Sequence, residues 1–437
     1  MSQASKTYHP HSIQQLMQWP LFRSATFGGL LQKYEAIVTR TLRQNSCTRV
    51  DLIFDQCGPL SIKVGEWKKR GEASSLEVNI HSGSTPILKQ WIKLISNPRN
   101  KERLAEFVCE NLIKQQLGHL GPFHKVLLAG GFTDGSRTVS LAQGSTAAVP
   151  QLRSHNEEVD TRLLLQAKHA TSTHPQIVTQ SPDTDVAVLA VAHFKDLGCQ
   201  ELWLQTGAKD KERYIPLHTI HSSLGPSLCK CLPSFHALTE CDSTSAFAEI
   251  GKTKPWKMLI MKDQLQTNLS SLGENPVLQE SVQSVAESFI CSVYISAKSF
   301  SSTDEARHFL FCQRSLKSED LSPTSDCLCQ HLKRANYHAF IWNRALALLQ
   351  VIPSPEANGW KLDSRDPVPA LTTKSPAPPG ITELTRCRCT NSGCTRNCLC
   401  KSSNLACTEA CLCMADEKCC NPNNLVEYLV LISIFGF

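Results

Sequence analysis

Residues 49–55 read Arg-Val-Asp-Leu-Ile-Phe-Asp, a short apolar run that ends in an acid. A run of this length and composition is typical of a strand that is buried on both faces of a parallel sheet. Similar runs follow at residues 125–131, 176–179, 186–191 and 201–204. Because segments with helical periodicity separate several of these runs, the sequence predicts an α/β fold with a mostly parallel sheet.

Composition divides the chain into further segments. Helices are predicted at residues 86–118 and 159–170, and the pattern is mainly helical from about residue 235 to residue 349. Seven prolines fall between residues 352 and 386, a density that indicates an extended linker. The predicted organisation is an α/β domain at 12–250, a helical extension at 251–350, a proline-rich linker at 351–386, a cysteine-rich module at 387–422 and an apolar tail at 423–437.

Charge and the two ends of the sequence limit the class of protein. The net charge of +6 is small for 437 residues, so any basic surface for nucleic acid must be local. The opening MSQASKTYHPHSIQQ has no apolar signal-peptide core, so we expect an intracellular protein that is not secreted. The tail LVEYLVLISIFGF has 13 residues and one glutamate. It is predicted to be an aberrant end or a buried strand, with a membrane anchor as the alternative.

Several acids stand at the ends of predicted strands or at the start of a predicted helix. Ligands of open α/β sheets bind outside the carboxyl ends of the strands, and carboxylates that meet there repel one another unless a cation intervenes. Oxygen ligands suit Mg²⁺ or Mn²⁺, and two such ions can act on a phosphodiester. The alternative is that each acid is a turn or helix-cap residue. The acids are Asp55, Glu157, Glu158, Asp160, Asp183, Asp185 and Asp242.

Four segments, taken in order, resemble the flap-endonuclease/PIN-like nuclease superfamily. They read Val50-Asp-Leu-Ile-Phe-Asp55, Asn156-Glu-Glu-Val-Asp-Thr-Arg162, Ser181-Pro-Asp-Thr-Asp-Val186 and His236-Ala-Leu-Thr-Glu-Cys-Asp242. More narrowly, they are similar to transposon-associated animal proteins built on this fold, over about residues 12–350. The resemblance implies a metal-dependent nuclease whose ligands are Asp55, Glu158, Asp160, Asp183, Asp185 and Asp242. Glu157 stays open as a replacement for Glu158, because i, i+3 spacing would put it on one helix face with Asp160.

The resemblance also implies contacts to nucleic acid. The segment Ile250-Gly-Lys-Thr-Lys-Pro-Trp-Lys257 resembles the superfamily's glycine-containing helical hairpin, which holds the backbone of duplex DNA. Lysines there would contact phosphates without reading sequence. The alternative is a basic turn that only faces solvent. The expected nucleic-acid-binding residues are Lys63, Lys68, Lys69, Arg70, Lys252, Lys254 and Lys257.

Two positions depart from the superfamily's pattern. Its nucleases begin with a strand that carries an essential Asp, whereas the first acid here is Glu35 and the first Asp is Asp51. Either that strand precedes this sequence or the site is incomplete. Related sequences usually carry Gly at the position of Glu240, where unusual backbone angles are needed. The alternative to a nuclease is therefore a catalytically inactive DNA-binding or scaffold protein.

Ten of the 21 cysteines fall between residues 387 and 420, in a segment with almost no hydrophobic residues. So short a segment rarely folds without cross-links. Cys-x-Cys pairs in a reducing compartment indicate zinc thiolates, with disulfides as the alternative. The predicted ligands are Cys387, Cys389, Cys394, Cys398, Cys400, Cys407, Cys411, Cys413, Cys419 and Cys420.

This segment resembles the CXC domain of tesmin-type proteins. The resemblance implies about three Zn²⁺ ions that share some sulfurs, and a contact to DNA. Asn397 stands where the family has an aromatic residue that reaches a DNA groove. From the two resemblances together, we expect a nuclear protein whose partner is DNA or RNA, with no membrane association. No small-molecule cofactor is expected, because GxGxxG and GxxxxGK[ST] motifs are absent from the sequence.

Overall fold

The computed structural model divides the chain into two compact units, Met1–Leu371 and Thr372–Phe437, which are described separately. Among the described residues, none of the helices combines the length and apolarity that a membrane span requires. The predicted nucleic-acid contacts of Lys63, Lys68, Lys69 and Arg70, the substitution at Asn397 and residues 425–437 of the apolar tail lie outside the described residues. The structure describes residues 7–12, 24–44, 47–55, 61–62, 76–115, 120–207, 211–313, 318–363, 366–375, 386–389, 394, 398–403, 405–408, 411–415 and 419–424.

An eight-stranded sheet forms the centre of the first unit, in the order β5-β4-β3-β2-β1-β6-β7-β8. The five strands from β3 to β7 in this order are parallel, and β4, β5 and β8 are added antiparallel at the two edges. The prediction of an α/β fold is confirmed, and the sheet is mixed. The strands are β1 Thr7–Ser12, β2 Arg49–Ile53, β3 Lys125–Ala129, β4 Thr138–Ala142, β5 Ser145–Ala148, β6 Gln176–Gln180, β7 Glu201–Thr206 and β8 Arg213–Pro216.

Helices pack on both faces of this sheet, because the central strands are apolar on both sides. On β2, Val50 and Leu52 belong to one hydrophobic core, and Ile53 belongs to the other. The helices of the first unit are α1 Phe27–Gln44, α2 Trp91–Ile95, α3 Pro98–Gln115, α4 Val159–Ala170, α5 Thr184–Leu197, α6 Leu217–Thr239, α7 Thr253–Ile260, α8 Asp263–Ser270, α9 Glu280–Tyr294, α10 Thr303–Gln313 and α11 Ser325–Asn343. The segment predicted as a helical extension contains α7 to α11.

The prediction of a strand at residues 186–191 is wrong, because this run lies inside helix α5. The Asp183 carboxylate accepts a hydrogen bond from the Asp185 backbone N–H at 3.0 Å and so caps the helix. Gly198 ends the helix with a φ of 77°. A helix packed between a sheet and other helices has no long polar face, so its apolar run resembles a buried strand. Asp183 and Asp185 are therefore the cap and a first-turn residue of helix α5.

The linker prediction is wrong for its first part, because residues 360–369 form a hairpin. Strand β9 Trp360–Asp363 pairs antiparallel with β10 Asp366–Pro369. Trp360 is buried against the ring of Tyr337 on α11, at 4.9 Å between ring centroids. Pro367 and Pro369 are tolerated because a two-stranded sheet leaves one side of each strand without a ladder partner.

Helix α11 carries a buried histidine that makes the fold sensitive to acid. His331 Nε2 lies 2.7 Å from the Leu238 carbonyl, and burial lowers the pKa of His331 to about 4. His331 therefore takes up a proton near pH 6.5 in the unfolded chain but only near pH 4 in the folded chain. Stability from this residue is present above pH 6.5 and is lost as the pH falls toward 4.

Between pH 6.5 and 4, we expect the free energy of unfolding of His331→Gln to fall by about 2–3 kcal/mol less than that of the wild type. Urea unfolding at a series of pH values measures it. His308→Gln, on the surface of α10, is the control and leaves the slope as in the wild type. A slope that His331→Gln does not change would contradict the prediction.

Candidate functional sites

The first predicted acid, Asp55, follows strand β2 and binds the start of helix α4. Its Oδ1 accepts a hydrogen bond from the Val159 backbone N–H at 2.9 Å. The neighbouring segment is held by Arg162, which is buried and donates to the carbonyls of Gly135, Ser154 and Asn156. These bonds fix the chain that leads into Glu158.

Glu158 is the N-cap residue of α4 and is 8% exposed. Its Oε2 accepts a hydrogen bond from Trp342 Nε1 at 3.1 Å and lies 3.6 Å from His338 Nε2, an ion-pair distance longer than a hydrogen bond. Both partners lie on α11. Glu157 precedes the helix, so the i, i+3 argument that linked it to Asp160 does not hold. Asp160 lies half-buried in the first turn of α4.

Helix α5 brings Asp185 against α6. Asp185 Oδ1 lies 2.7 Å from His236 Nε2, and both residues are buried. His236 Nδ1 lies 2.9 Å from Lys252 Nζ, which also donates to the Glu240 carbonyl at 2.6 Å. The carboxylate is therefore joined to a lysine through a histidine ring.

Asp242 is exposed and follows the end of α6. The next residue, Ser243, has its Oγ 2.6 Å from His338 Nδ1. Burial opposes protonation of His338, but the negative charges of Glu158, Asp185 and Asp242 outweigh it and raise its pKa. Three of the predicted acids, from three different segments, thus act on one buried histidine.

The basic residues predicted to contact phosphate separate into two kinds. Lys254 and Lys257 are exposed on α7. Lys252 is half-buried and turned toward His236, and burial lowers its pKa although the Asp185 and Glu240 charges oppose this. Lys252 therefore contacts His236 and the Glu240 carbonyl, while Lys254 and Lys257 face solvent.

Glu240 occupies a backbone conformation that favours glycine, with a φ of 146°. Such a residue stores about 1–3 kcal/mol of strain. We expect Glu240→Gly to stabilise the protein by about 1 kcal/mol, whereas Glu240→Ala, which keeps the Cβ, does not. Denaturant midpoints compare the two variants, and equal stability of Gly and Ala would contradict a strained backbone.

The second unit contains a cluster of cysteine sulfurs at distances that suit a shared metal. The pairs Cys387–Cys413, Cys394–Cys407 and Cys400–Cys411 are 3.5, 3.6 and 3.5 Å apart, and Cys387–Cys407 and Cys394–Cys419 are 3.9 and 3.7 Å apart. Sulfurs of a tetrahedral zinc site with bonds of ~2.3 Å lie about 3.8 Å apart. A disulfide needs ~2.05 Å. The cluster can therefore hold metal, and its thiolates suit zinc.

Three groups of four cysteines each bring their sulfurs within 4.8 Å of one another. Cys387 belongs to all three groups, and Cys394 and Cys407 each belong to two. Cys419 lies near Cys394, Cys407 and Cys413, while Cys420 is exposed and belongs to none of the groups. The groups are Cys387, Cys400, Cys407, Cys411; Cys387, Cys394, Cys407, Cys413; and Cys387, Cys389, Cys394, Cys398.

Hydrogen bonds to sulfur favour the thiolate form of Cys398, Cys411 and Cys419, whereas burial raises the pKa of most other cysteines in this cluster. Burial raises the pKa of Cys398, but bonds from the Lys401 N–H and from neighbouring thiols outweigh it and lower the pKa to about 7. The buried Asn421 side chain donates to Cys407 Sγ at 3.3 Å and to the Leu405 carbonyl at 2.8 Å. Asn421 is thus a sulfur partner that the cysteine spacing alone does not indicate. Two short helices, α12 Leu399–Ser402 and α13 Leu412–Ala415, carry Cys400 and Cys413.

Among the described residues, the groups with metal-like spacing consist of cysteines alone. The carboxylate oxygens of the first unit are ligands of the kind that Mg²⁺ prefers. Four of these carboxylates also accept a hydrogen bond within the fold: Asp55, Glu158, Asp183 and Asp185. A comparison with models of protein families gave no match, and a comparison with curated proteins gave none either.

Proposed function

We propose that the chain is a nuclear nucleic-acid-binding protein of the PIN/flap-endonuclease-like, transposon-associated type. Its α/β domain would hold Mg²⁺ or Mn²⁺ at the acidic site, and its cysteine module would hold zinc and bind DNA. The observation that carries the nuclease proposal is that two acids from separate segments meet around Trp342. Glu158 accepts a hydrogen bond from the indole, and Asp185 pairs with His236, whose ring stacks on the indole. Asp55 adds to this by binding the residue that follows Glu158.

In the proposed site, the acids would have two roles, metal binding and support of the metal ligands. Glu158, Asp183, Asp185 and Asp242 would hold the ions, and hydrogen bonds from Trp342 and His236 orient two of these carboxylates. When bound, the ions supply an activated water and stabilise charge on the leaving oxygen of a phosphodiester. Asp55 holds the start of α4 and so places Glu158.

For the cysteine module, we propose three zinc ions and nine thiolates. Cys387, Cys394 and Cys407 would each bridge two ions, because each lies near members of more than one group. The outer ligands would then form three pairs. These pairs are Cys389 with Cys398, Cys400 with Cys411, and Cys413 with Cys419. Cys420 is left out of this arrangement, which changes the predicted set of ten to nine.

A specific observation favours a catalytically inactive binding protein as the second candidate. Strand β1, between β2 and β6, reads Thr-Tyr-His-Pro-His-Ser and has no acid at its carboxyl end, where the superfamily places its first ligand. Loss of one ligand from a cluster of this kind removes activity more readily than it removes the fold.

Nuclease assays decide between the two candidates. The wild type is incubated with Mg²⁺ or Mn²⁺ and branched or single-stranded DNA and RNA, beside the double variant Asp183→Ala, Asp185→Ala. Cleavage by the wild type alone supports the nuclease. If neither protein cleaves but both retain DNA in a salt-dependent binding assay, the inactive binding protein is favoured.

A further inference from the structure

A buried asparagine lies near the end of the cysteine module. Asn421 follows Cys419 by two positions and is 2% exposed. Its Nδ2 donates to the Cys407 sulfur at 3.3 Å and to the Leu405 carbonyl at 2.8 Å. Its Oδ1 accepts a hydrogen bond from the Asn423 backbone N–H at 3.2 Å. The side chain therefore joins the segment after Cys419 to the segment that carries Cys407.

The contacts at this position require an amide. An asparagine side chain has an acceptor oxygen and two N–H donors, and Asn421 uses the oxygen and both donors. Turning the amide over would place its oxygen against a sulfur and a carbonyl, which both accept, so the nitrogen faces Cys407. The bond to Asn423 is a turn contact that aspartate or serine also makes. The two bonds from Nδ2 are different, because aspartate has no donor and serine has one.

The sulfur that receives this bond has a special place in the module. Cys407 belongs to two of the three groups of cysteines, so in the proposed arrangement it bridges two ions. Backbone N–H groups lie 3.5 Å from the Cys398 sulfur and 3.4 Å from the Cys411 sulfur, and both of these cysteines would be outer ligands. Asn421 thus directs a side-chain donor at a sulfur that two ions share.

Such a donor has a physical role in a buried cluster of this composition. Nine thiolates carry more negative charge than three divalent ions neutralise, and burial removes the water that would otherwise solvate the excess. An N–H group directed at a metal-bound sulfur is a charge-assisted hydrogen bond, which is stronger than a bond between neutral groups. It also fixes the direction of the sulfur, as hydrogen bonds to metal ligands do in general.

We infer that Asn421 is a positioning residue, which holds Cys407 as a sulfur shared between two zinc ions and so strengthens the binding of both. This inference rests on the proposed zinc module, and Asn421 is not itself a ligand. Because Cys419 would be a ligand of one of these two ions, the same amide also holds the segment that carries Cys419 against Cys407.

Nuclear magnetic resonance of the full-length protein, loaded with ¹¹³Cd²⁺ and labelled with ¹⁵N-asparagine, tests the shared sulfur. Cd²⁺ binds thiolates as zinc does, and a coupling can pass from an N–H proton through the sulfur to the metal. We expect a side-chain proton of Asn421 to correlate with two cadmium resonances, and Asn421→Leu to lose both correlations. A bound cluster in which this proton correlates with one cadmium, or with none, overturns the inference.

Competition with a coloured zinc chelator tests the effect on binding. We expect Asn421→Leu to weaken the two ions that share Cys407 by about 10–100-fold. Asn423→Leu is the matched control, because Asn423 Nδ2 donates to the same Leu405 carbonyl at 3.3 Å, and this variant should bind zinc as the wild type does.

The outcomes separate the inference from the proposed zinc module. If the wild type binds zinc and Asn421→Leu binds it equally well, the inference alone is overturned. Equal weakening in the two variants would assign the effect to the carbonyl contact and would also overturn it. If the wild type binds neither zinc nor cadmium, the zinc module fails and the inference fails with it. If Asn421→Leu does not fold, the cadmium correlations of the wild type decide the inference.

Discussion

Replacing Cys407 by serine is expected to remove about two of three zinc ions from the full-length protein. Cys407 belongs to two of the three groups of cysteines, so in the proposed arrangement its loss would take a ligand from two ions at once. Metal binding and folding are coupled in so small a module, and the remaining thiolates cannot build a core in place of the metal. Elemental analysis after reducing purification counts the zinc directly.

Cys389→Ser is the matched control, because Cys389 is half-buried and belongs to one group only. We expect it to lose at most about one ion, since it would serve as an outer ligand. Equal zinc loss in the two variants would refute the bridging role of Cys407. A wild-type protein without zinc would refute the whole assignment of the module.

Arg162→Met is expected to destabilise the first unit by about 3–5 kcal/mol. The Arg162 side chain is 1% exposed and donates to three backbone carbonyls before α4. Methionine fills a similar volume but leaves these buried acceptors without a donor. A lysine replaces only part of the hydrogen-bonding pattern of the planar guanidinium. The stability of Arg162→Lys should therefore lie between those of the wild type and Arg162→Met.

The midpoints of urea unfolding measure this loss of stability, provided that the free energy of unfolding falls with urea concentration at the same slope in each variant. Arg153→Met is the control, because Arg153 is exposed and pairs with the exposed Asp134 at 3.0 Å. An exposed pair contributes less than about 1 kcal/mol. If Arg162→Met were no more destabilised than Arg153→Met, the carbonyl contacts would not hold the segment that leads to Glu158.

Sequence patterns predicted those elements whose periodicity is strong. Helix α4 was expected at residues 159–170 and has these bounds, and β2, β3, β6 and β7 begin where their apolar runs begin. Strand β1 was missed because Thr-Tyr-His-Pro-His-Ser carries no apolar alternation. It becomes a central strand only through its pairing with β2 and β6.

The candidate sites were predictable to different degrees. Regular cysteine spacing indicates a metal cluster, but it does not show which sulfurs lie near two groups, because this depends on how the short helices fold back. The acids were predicted from their places in the sequence and from the order of their segments, and their role stays a prediction. His338 and Trp342 were not found, since they come from α11, and nothing in their local sequence points toward Glu158.

The central place of β1 has a consequence for how this protein is made. Tyr8 pairs with Arg49 on one side and with Ile177 on the other, so β1 receives its second neighbour long after its first during synthesis. Until β6 is synthesised, one side of β1 is an unpaired edge that can recruit strands from other chains. Contacts between such distant residues also slow folding. During synthesis the protein therefore depends on protection of β1, and we expect nascent chains to aggregate when translation pauses before Gln176.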